Sequence, residues 1–525
     1  MRTTTLERVA VGIGPLTVDD VVAVARHGAS IVLDPDALDA VAGSRAIVEA
    51  LAEDPEPHYG ISTGFGALAT TFIAADRRAQ LQASLIRSHA AGSGAEVERE
   101  VVRALMLLRL STLMTGRTGV RRETVEAYAA ALNAGITPIV REYGSLGCSG
   151  DLAPLAHCAL ALMGEGEVRV STGSTDGGGE LMDAAEALRA AGIEPLRLGE
   201  KEGLALINGT DGMLGMLALA LHDLRDLLAT ADVAAAMSVE GLLGTDAVFA
   251  ADLHALRPQR GQAVSAANLR RLLAGSPIVA SHKGPECTRV QDAYSLRCAP
   301  QVHGAARDTL AHAASVAEAE LASAIDNPVV TPDGRVESNG NFHGAPVAYV
   351  LDFLAIAVAD VASMSERRTD RFLDRARNQG LPPFLAHEAG VDSGLMIAQY
   401  TAAGIVSELK RLAAPASVDS IPSSAMQEDH VSMGWAAARK LRRAIDGLGR
   451  VLAIEVLTAA RGIRLRAPLA PGAATGAVVD LVAELGGSPG PDRYLSPEIE
   501  AVAAAVASGA VVAAAAEAAG GGPLA

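Results

Sequence analysis

The sequence predicts a mainly α protein, a bundle of long central helices with a smaller mixed region on its N-terminal side. Three observations carry this. Val350, Leu354, Val358 and Val361 fall three or four apart while Asp352 and Asp360 occupy other faces, the spacing of an amphipathic helix. Comparable patterns run through residues 98–110, 213–228 and 436–457, where Arg439, Lys440, Arg442 and Arg443 are expected on a solvated side. Alternating strand patterns are short and few, the clearest being EVRVST at 167–172 before the Gly-rich turn GSTDGGGE at 173–180.

Taken in chain order, residues 1–200 read as the mixed N-terminal region and residues 201–525 as the central and C-terminal helical region. No Pro/Ser-rich linker or long charge run separates them, so one compact body with subdomains is expected. No period of 20 to 50 residues repeats, which argues against a solenoid. The first residues lack the apolar core of a secretory signal. The best candidate for a membrane span, residues 501–516, is Ala-rich, contains Ser508 and Gly509 and is closed by Glu517, so it is expected to pack as a helix. A net charge of −17 and the lack of a basic stripe argue against nucleic acid and membrane partners. Cys148, Cys158, Cys287 and Cys298 form no C-x-x-C pair and read as reduced thiols of a cytoplasmic protein.

Glycine concentrates in loops between the helical segments: YGISTGFG at 59–66, GSLGCSGDLAP at 144–154, NGTDG at 208–212 and SNGNFHG at 338–344. Such loops let backbone approach a ligand closely. Ser149 does not make a hydrolase elbow. G-x-S-x-G needs glycine two before and two after the serine, and Asp151 stands at the second position after it. One reading of the loop is a Gly/Ser turn capping a helix near Asp151. Another uses the backbone: if the amide nitrogen of Gly150 is pressed onto the carbonyl carbon of Cys148, a five-membered ring can close, because glycine has no Cβ to block the approach. Loss of two waters, one of them carrying the Ser149 hydroxyl, would leave an imidazolone with an exocyclic methylidene carbon, a strong electrophile. Cys148 contributes mainly its carbonyl, so its side chain is free to vary.

The run GSLGCSGDLAPLAH at 144–157 closely resembles the prosthetic-group loop of the histidine branch of the aromatic amino acid lyases. Six further runs agree in family order: YGISTGFG at 59–66, SHAAGSG at 88–94, KEGLALINGT at 201–210, QDAYSLRCAPQVHG at 291–304, GNFHG at 340–344 and QEDHVSMG at 427–434. The resemblance implies long central helices and the 4-methylidene-imidazol-5-one group formed from Cys148, Ser149 and Gly150. It also implies a homotetramer whose active sites draw residues from more than one subunit. The activity it implies is elimination of ammonia from the small molecule L-histidine to give urocanate, the first step of histidine catabolism. A tyrosine or phenylalanine ammonia-lyase, or an aminomutase with the same electrophile, is the alternative.

Such an elimination needs a better leaving group than ammonia and a base for a weakly acidic β-hydrogen. The electrophile addresses the first need. By resemblance, Tyr59 is the base; since phenol titrates near pH 10, its site must stabilise phenolate. Arg297 matches the residue that holds the substrate carboxylate, a planar anion suited to a guanidinium fork. Tyr294, Gln291 and Asn208 match positions around the amine and carboxylate. His89 and Glu428 match the histidine-specific pattern, because an imidazole needs polar partners; Glu428 can accept an imidazole N–H or compete with Tyr59 for the proton. Phe342 and His343 are expected to line or support the cavity, and His157 and His430 have no metal-ligand spacing. Three positions depart from the family pattern: Ser62 stands in place of an asparagine, Ala345 in place of a polar residue, and Met426 in place of the asparagine before QED.

Overall fold

The computed structural model describes residues 6–171, 179–284, 287 and 290–525. The N-terminal region is mixed, as expected. A parallel pair joins Arg8–Val11 to Ser30–Leu33, and a bulged antiparallel pair joins Ser93–Glu96 to Arg141–Tyr143. The strand expected at EVRVST is Glu167–Val170, the centre of a three-stranded antiparallel sheet between Ile136–Pro138 and Glu180–Asp183. Most of the turn expected at 173–180 lies outside the described residues. Three helices of this region matter for the site: α1 (Arg78–His89), α2 (Arg99–Met114) and α3 (Leu152–Leu162).

The bundle consists of α4 (Asp211–Gly241), α5 (Ala299–Leu321), α6 (Ala345–Leu373), α7 (Met396–Leu412) and α8 (Gly434–Arg464). Side-chain contacts fix their directions. At one end, a Cβ added to Gly344 or to Gly434 would meet the Met213 sulfur at 2.4 Å. At the other, Gly241 and Gly462 press on the Phe372 ring. The helices α4, α6 and α8 are therefore parallel. Helix α5 runs the opposite way: Thr210 donates to Glu320 near its C-terminus, and His303 near its N-terminus bonds Asp232. Helix α4 is buried on nearly all sides, which its run of Ala, Leu and Met permits. One hydrophobic core runs from Val9 to Leu524 and crosses residue 200 without a break.

Val350, Leu354, Val358 and Val361 are all buried in α6, and Asp360 faces out. Asp352 does not. It is buried, accepts from Lys440 Nζ at 2.7 Å and caps the Ser417 N–H at 2.7 Å. The expected solvated side of α8 needs the matching correction: Arg439 pairs with Glu98, Lys440 with Asp352, and Arg442 with Glu100 and Asp223. Burying a guanidinium is tolerated once a carboxylate meets it, and only Arg443, 70% exposed, keeps the expected position.

Residues 501–516 form parts of two helices, Ser496–Ala507 and Ala510–Ala518, bent by 69° around Gly509. Among the described residues, α6 is the helix long and apolar enough to cross a membrane, and 61% of its apolar window is buried against neighbours. Central packing explains its apolarity.

Candidate active site

The loop 144–154 sits where helix N-termini converge. Helix α3 begins at Leu152, directly after it. The amide of Met213, in the first turn of α4, donates to Asp151 Oδ2 at 2.8 Å. Gly344 and Gly434, at the starts of α6 and α8, pack on the same Met213, and Met433 N–H donates to the Leu146 carbonyl at 3.1 Å. The positive starts of α3, α4 and α8 therefore adjoin one loop, with the start of α6 packed beside them on Met213, a setting that favours developing negative charge.

Backbone crowding is greatest at Gly150. Its φ is +77°, and a Cβ there would lie 1.9 Å from the Gly209 carbonyl oxygen, so no other residue fits without displacing the 208–212 loop. Asp151 N–H donates to that same carbonyl at 2.8 Å. Asp151 stands at the cap position of α3, but its side chain does not cap the helix. It accepts from Ser145 Oγ at 2.9 Å and from Met213, and complete burial pushes its pKa up to about 7. The side chain thus ties the loop to α4. Ser149 is half-buried within the turn.

Around the loop stand four of the expected residues. Glu428 accepts from Ser423 Oγ at 3.0 Å, and its carboxylate faces Tyr59, His89 and Cys148. It is carried by a strained turn in which Ser424, Ala425 and Met426 all have positive φ, a cost typical of residues held for function. Burial, then Glu428, pushes the Cys148 thiol up to about 12. His89 Nδ1 lies 2.9 Å from the Leu85 carbonyl, which can only accept; Nδ1 therefore carries the hydrogen. Burial lowers the His89 pKa, which leaves Nε2 as a neutral acceptor. Tyr59 OH accepts from the Gly66 N–H at 3.4 Å; burial and nearby Glu428 and Asp326 raise its pKa, while the Gly66 bond lowers it. Within one chain the phenol is thus not set up as phenolate. Asn208 is buried, its amide donating to the Asn327 carbonyl at 2.8 Å.

Gln291, Tyr294 and Arg297 lie elsewhere. The one-turn segment Tyr294–Arg297 hydrogen-bonds Arg368, which pairs with Glu455, the acceptor of the Ser238 hydroxyl. Ser238 is about seven turns along α4 from Met213, which puts Arg297 roughly 35 Å from the loop. Gln291 and Tyr294 are exposed, Tyr294 at 70%. Arg297 stacks on the Tyr294 ring at 4.6 Å, and its buried Nε has no hydrogen-bond partner among the described residues. A cation so placed, stacked and with no carboxylate partner among the described residues, is not an ordinary surface ion pair.

A model of the family described as aromatic amino acid lyase matches residues 16–484. The chain belongs to the aromatic amino acid lyase family. Among the relatives of this lyase, histidine ammonia-lyase of Streptomyces griseus is 64% identical over 94% of the chain and 96% of that protein. Histidine ammonia-lyase of Gloeobacter violaceus is 50% identical over 94% of each. Among solved structures, histidine ammonia-lyase from Trypanosoma cruzi aligns with a TM-score of 0.88 at 38% identity, covering 97% of this chain and 95% of that one. Tyrosine aminomutase from Streptomyces globisporus aligns at 0.90 with 37% identity, covering 97% and 98%.

The lyase fold also shows what supports the site, including Arg109, which the sequence hid. Fully buried Arg109 donates to the carbonyls of Asn208 and Ile325 and faces Asp211 at 3.5 Å. His157 Nε2 accepts from the Gly92 N–H at 3.1 Å. His343 and His430 stack at 5.5 Å, and His343 Nδ1 accepts from the Ala345 N–H at the start of α6. Phe342, beside His343, is half-buried. Of the departures, Ser62 is buried and accepts from the His58 N–H at 2.9 Å, steadying the turn that carries Tyr59, whereas Met426 is exposed. Arginines inside apolar helix text carry no sequence signal; only the fold shows what they hold.

Proposed function

We propose that this chain eliminates ammonia from L-histidine in the cytoplasm to give urocanate, opening histidine breakdown, at a 4-methylidene-imidazol-5-one group formed from Cys148, Ser149 and Gly150. The observation that carries the reading is Glu428, a carboxylate facing Tyr59, His89 and Cys148 beside the loop. The single N–H of a neutral imidazole finds there an acceptor, the Glu428 carboxylate or His89 Nε2; a phenyl ring has no N–H to offer either. The residues fit the group. Gly150 is held where any Cβ would strike Gly209, and Ser149 brings the hydroxyl that must leave.

When formed, the group supplies an electrophile that turns the substrate amine into a better leaving group. Tyr59 takes the β-hydrogen. Its phenol is held up in the single chain, so a positive charge brought to the site must lower it. Arg297 of a second copy supplies that charge and takes the carboxylate, with Tyr294 and Gln291 beside it. Asn208, fixed by Arg109 and Asn327, orients the amine and carboxylate.

The roughly 35 Å between Arg297 and the loop supports a site shared between copies, in a homotetramer. Exposed Tyr349, Phe353 and Ile356, which line one side of α6, and Ile397 and Tyr400 on α7, offer apolar surface for that assembly. The test is direct. The purified protein is given histidine, phenylalanine and tyrosine separately, and the unsaturated product is followed by absorbance. Urocanate from histidine alone is expected. Cinnamate or coumarate, or a β-amino acid from an aminomutase, without urocanate would overturn the assignment.

A further inference from the structure

Arg368 belongs to none of the sequence runs above, and it is fully buried in α6. Its Nε and Nη2 meet both oxygens of Glu455, at 2.5 and 2.8 Å, and neither partner has any exposure. The Ser238 hydroxyl donates to the same Glu455 at 2.7 Å. The third nitrogen, Nη1, reaches out of the pair and donates to the Ser295 carbonyl at 3.2 Å.

Two considerations give that last bond meaning. A buried ion pair adds little stability over apolar residues of similar volume, so stability alone does not explain Arg368 and Glu455. The segment Tyr294–Arg297 is a single turn, too short to hold itself by its own hydrogen bonds. Leu296 anchors it from beneath, and Arg368 holds its backbone at Ser295, which lies in the chain between Tyr294 and the Arg297 that stacks on its ring.

We propose that Arg368 is a positioning residue for substrate carboxylate binding: through Ser295 it fixes the turn that presents Tyr294 and Arg297 to a neighbouring active site. Its planar fork is what the task requires, since a lysine can meet Glu455 but cannot also span to Ser295. The inference rests on the assignment of Arg297 to the substrate carboxylate.

The test compares histidine with histamine, which keeps the imidazole and the amine but lacks the carboxylate. Arg368→Lys is expected to raise the KM for histidine about ten-fold, with kcat changed far less, because a small misplacement breaks the guanidinium fork on the carboxylate while the Arg297 charge stays near Tyr59. Inhibition by histamine stays as in the parent. The double variant Arg368→Met/Glu455→Leu, which replaces the pair by apolar groups, carries the same expectation should the lysine variant fail to assemble. Arg103→Met is the control for general destabilisation: that guanidinium is also buried, but it bonds the Val24 and Leu132 carbonyls and should leave the KM unchanged. Arg297→Met separates the two ideas. If it weakens histidine selectively while both Arg368 variants leave the KM unaltered, or weaken histidine and histamine equally, the positioning role is overturned. If Arg297→Met shows no selectivity, the assignment of Arg297 falls and this inference falls with it.

Discussion

Replacing Asp151 with asparagine should change how stability depends on pH, and the structure sets both sign and size. Asp151 is completely buried, and its pKa of about 7 stands well above the usual carboxylate value near 3.8. A carboxyl whose folded pKa is raised contributes stability that is full below about pH 4 and is lost as pH rises through 7, because the folded chain holds a proton that the unfolded chain has released. At pH 5 about two pH units of that contribution remain. By pH 8 almost none does. At 1.36 kcal/mol per unit, the loss between pH 5 and pH 8 is about 2.5 kcal/mol. Asparagine keeps the shape and an acceptor for Met213 but does not titrate. Urea unfolding of parent and Asp151→Asn, at equal protein concentration and ionic strength, gives the difference in unfolding free energy at each pH, with every other titrating group cancelling. That difference should move toward the variant by about 2.5 kcal/mol from pH 5 to pH 8. A difference that stays constant across this range would refute the buried, proton-holding role.

Other perturbations have equally definite outcomes. Gly150→Ala places a Cβ 1.9 Å from the Gly209 carbonyl at a positive φ, so intact mass should show the full uncyclised chain and elimination should be lost. Glu428→Gln should lower kcat/KM for histidine by about 100-fold or more in steady-state assays, the usual size of a lost proton-transfer or charged hydrogen-bond partner. Arg109→Met removes donors to the carbonyls of Asn208 and Ile325 and leaves buried Asp211 without its cation. A loss of about 3–5 kcal/mol, read as a lowered thermal midpoint, is expected.

The helical architecture was legible because burial imposes a period: Val350, Leu354, Val358 and Val361 point into the core as their spacing requires. Charge was a poorer guide. Asp352, Arg439 and Arg442 read as solvated, yet they pair across helix boundaries, and no local pattern encodes a partner on another helix. The loop residues were legible as motifs, and the fold gathers Tyr59, His89, Asn208 and Glu428 around Cys148, Ser149 and Gly150. Motif order says nothing of distance, so the placement of Arg297 at the opposite end of the bundle emerged only from the directions of α4, α6 and α8. Asp151 and Arg368 stayed hidden for a related reason. A single charged residue in a helix or at its start looks like surface or a cap until its surroundings are known.

The central claim is that Ser149 is consumed to make an electrophile that drives ammonia elimination. Intact mass and histidine turnover, measured together on the parent and on Ser149→Ala, test it most directly. The parent should be lighter than its sequence by two waters and should release urocanate, while Ser149→Ala should carry its full sequence mass and release none. A parent chain of full mass that still forms urocanate would contradict the account.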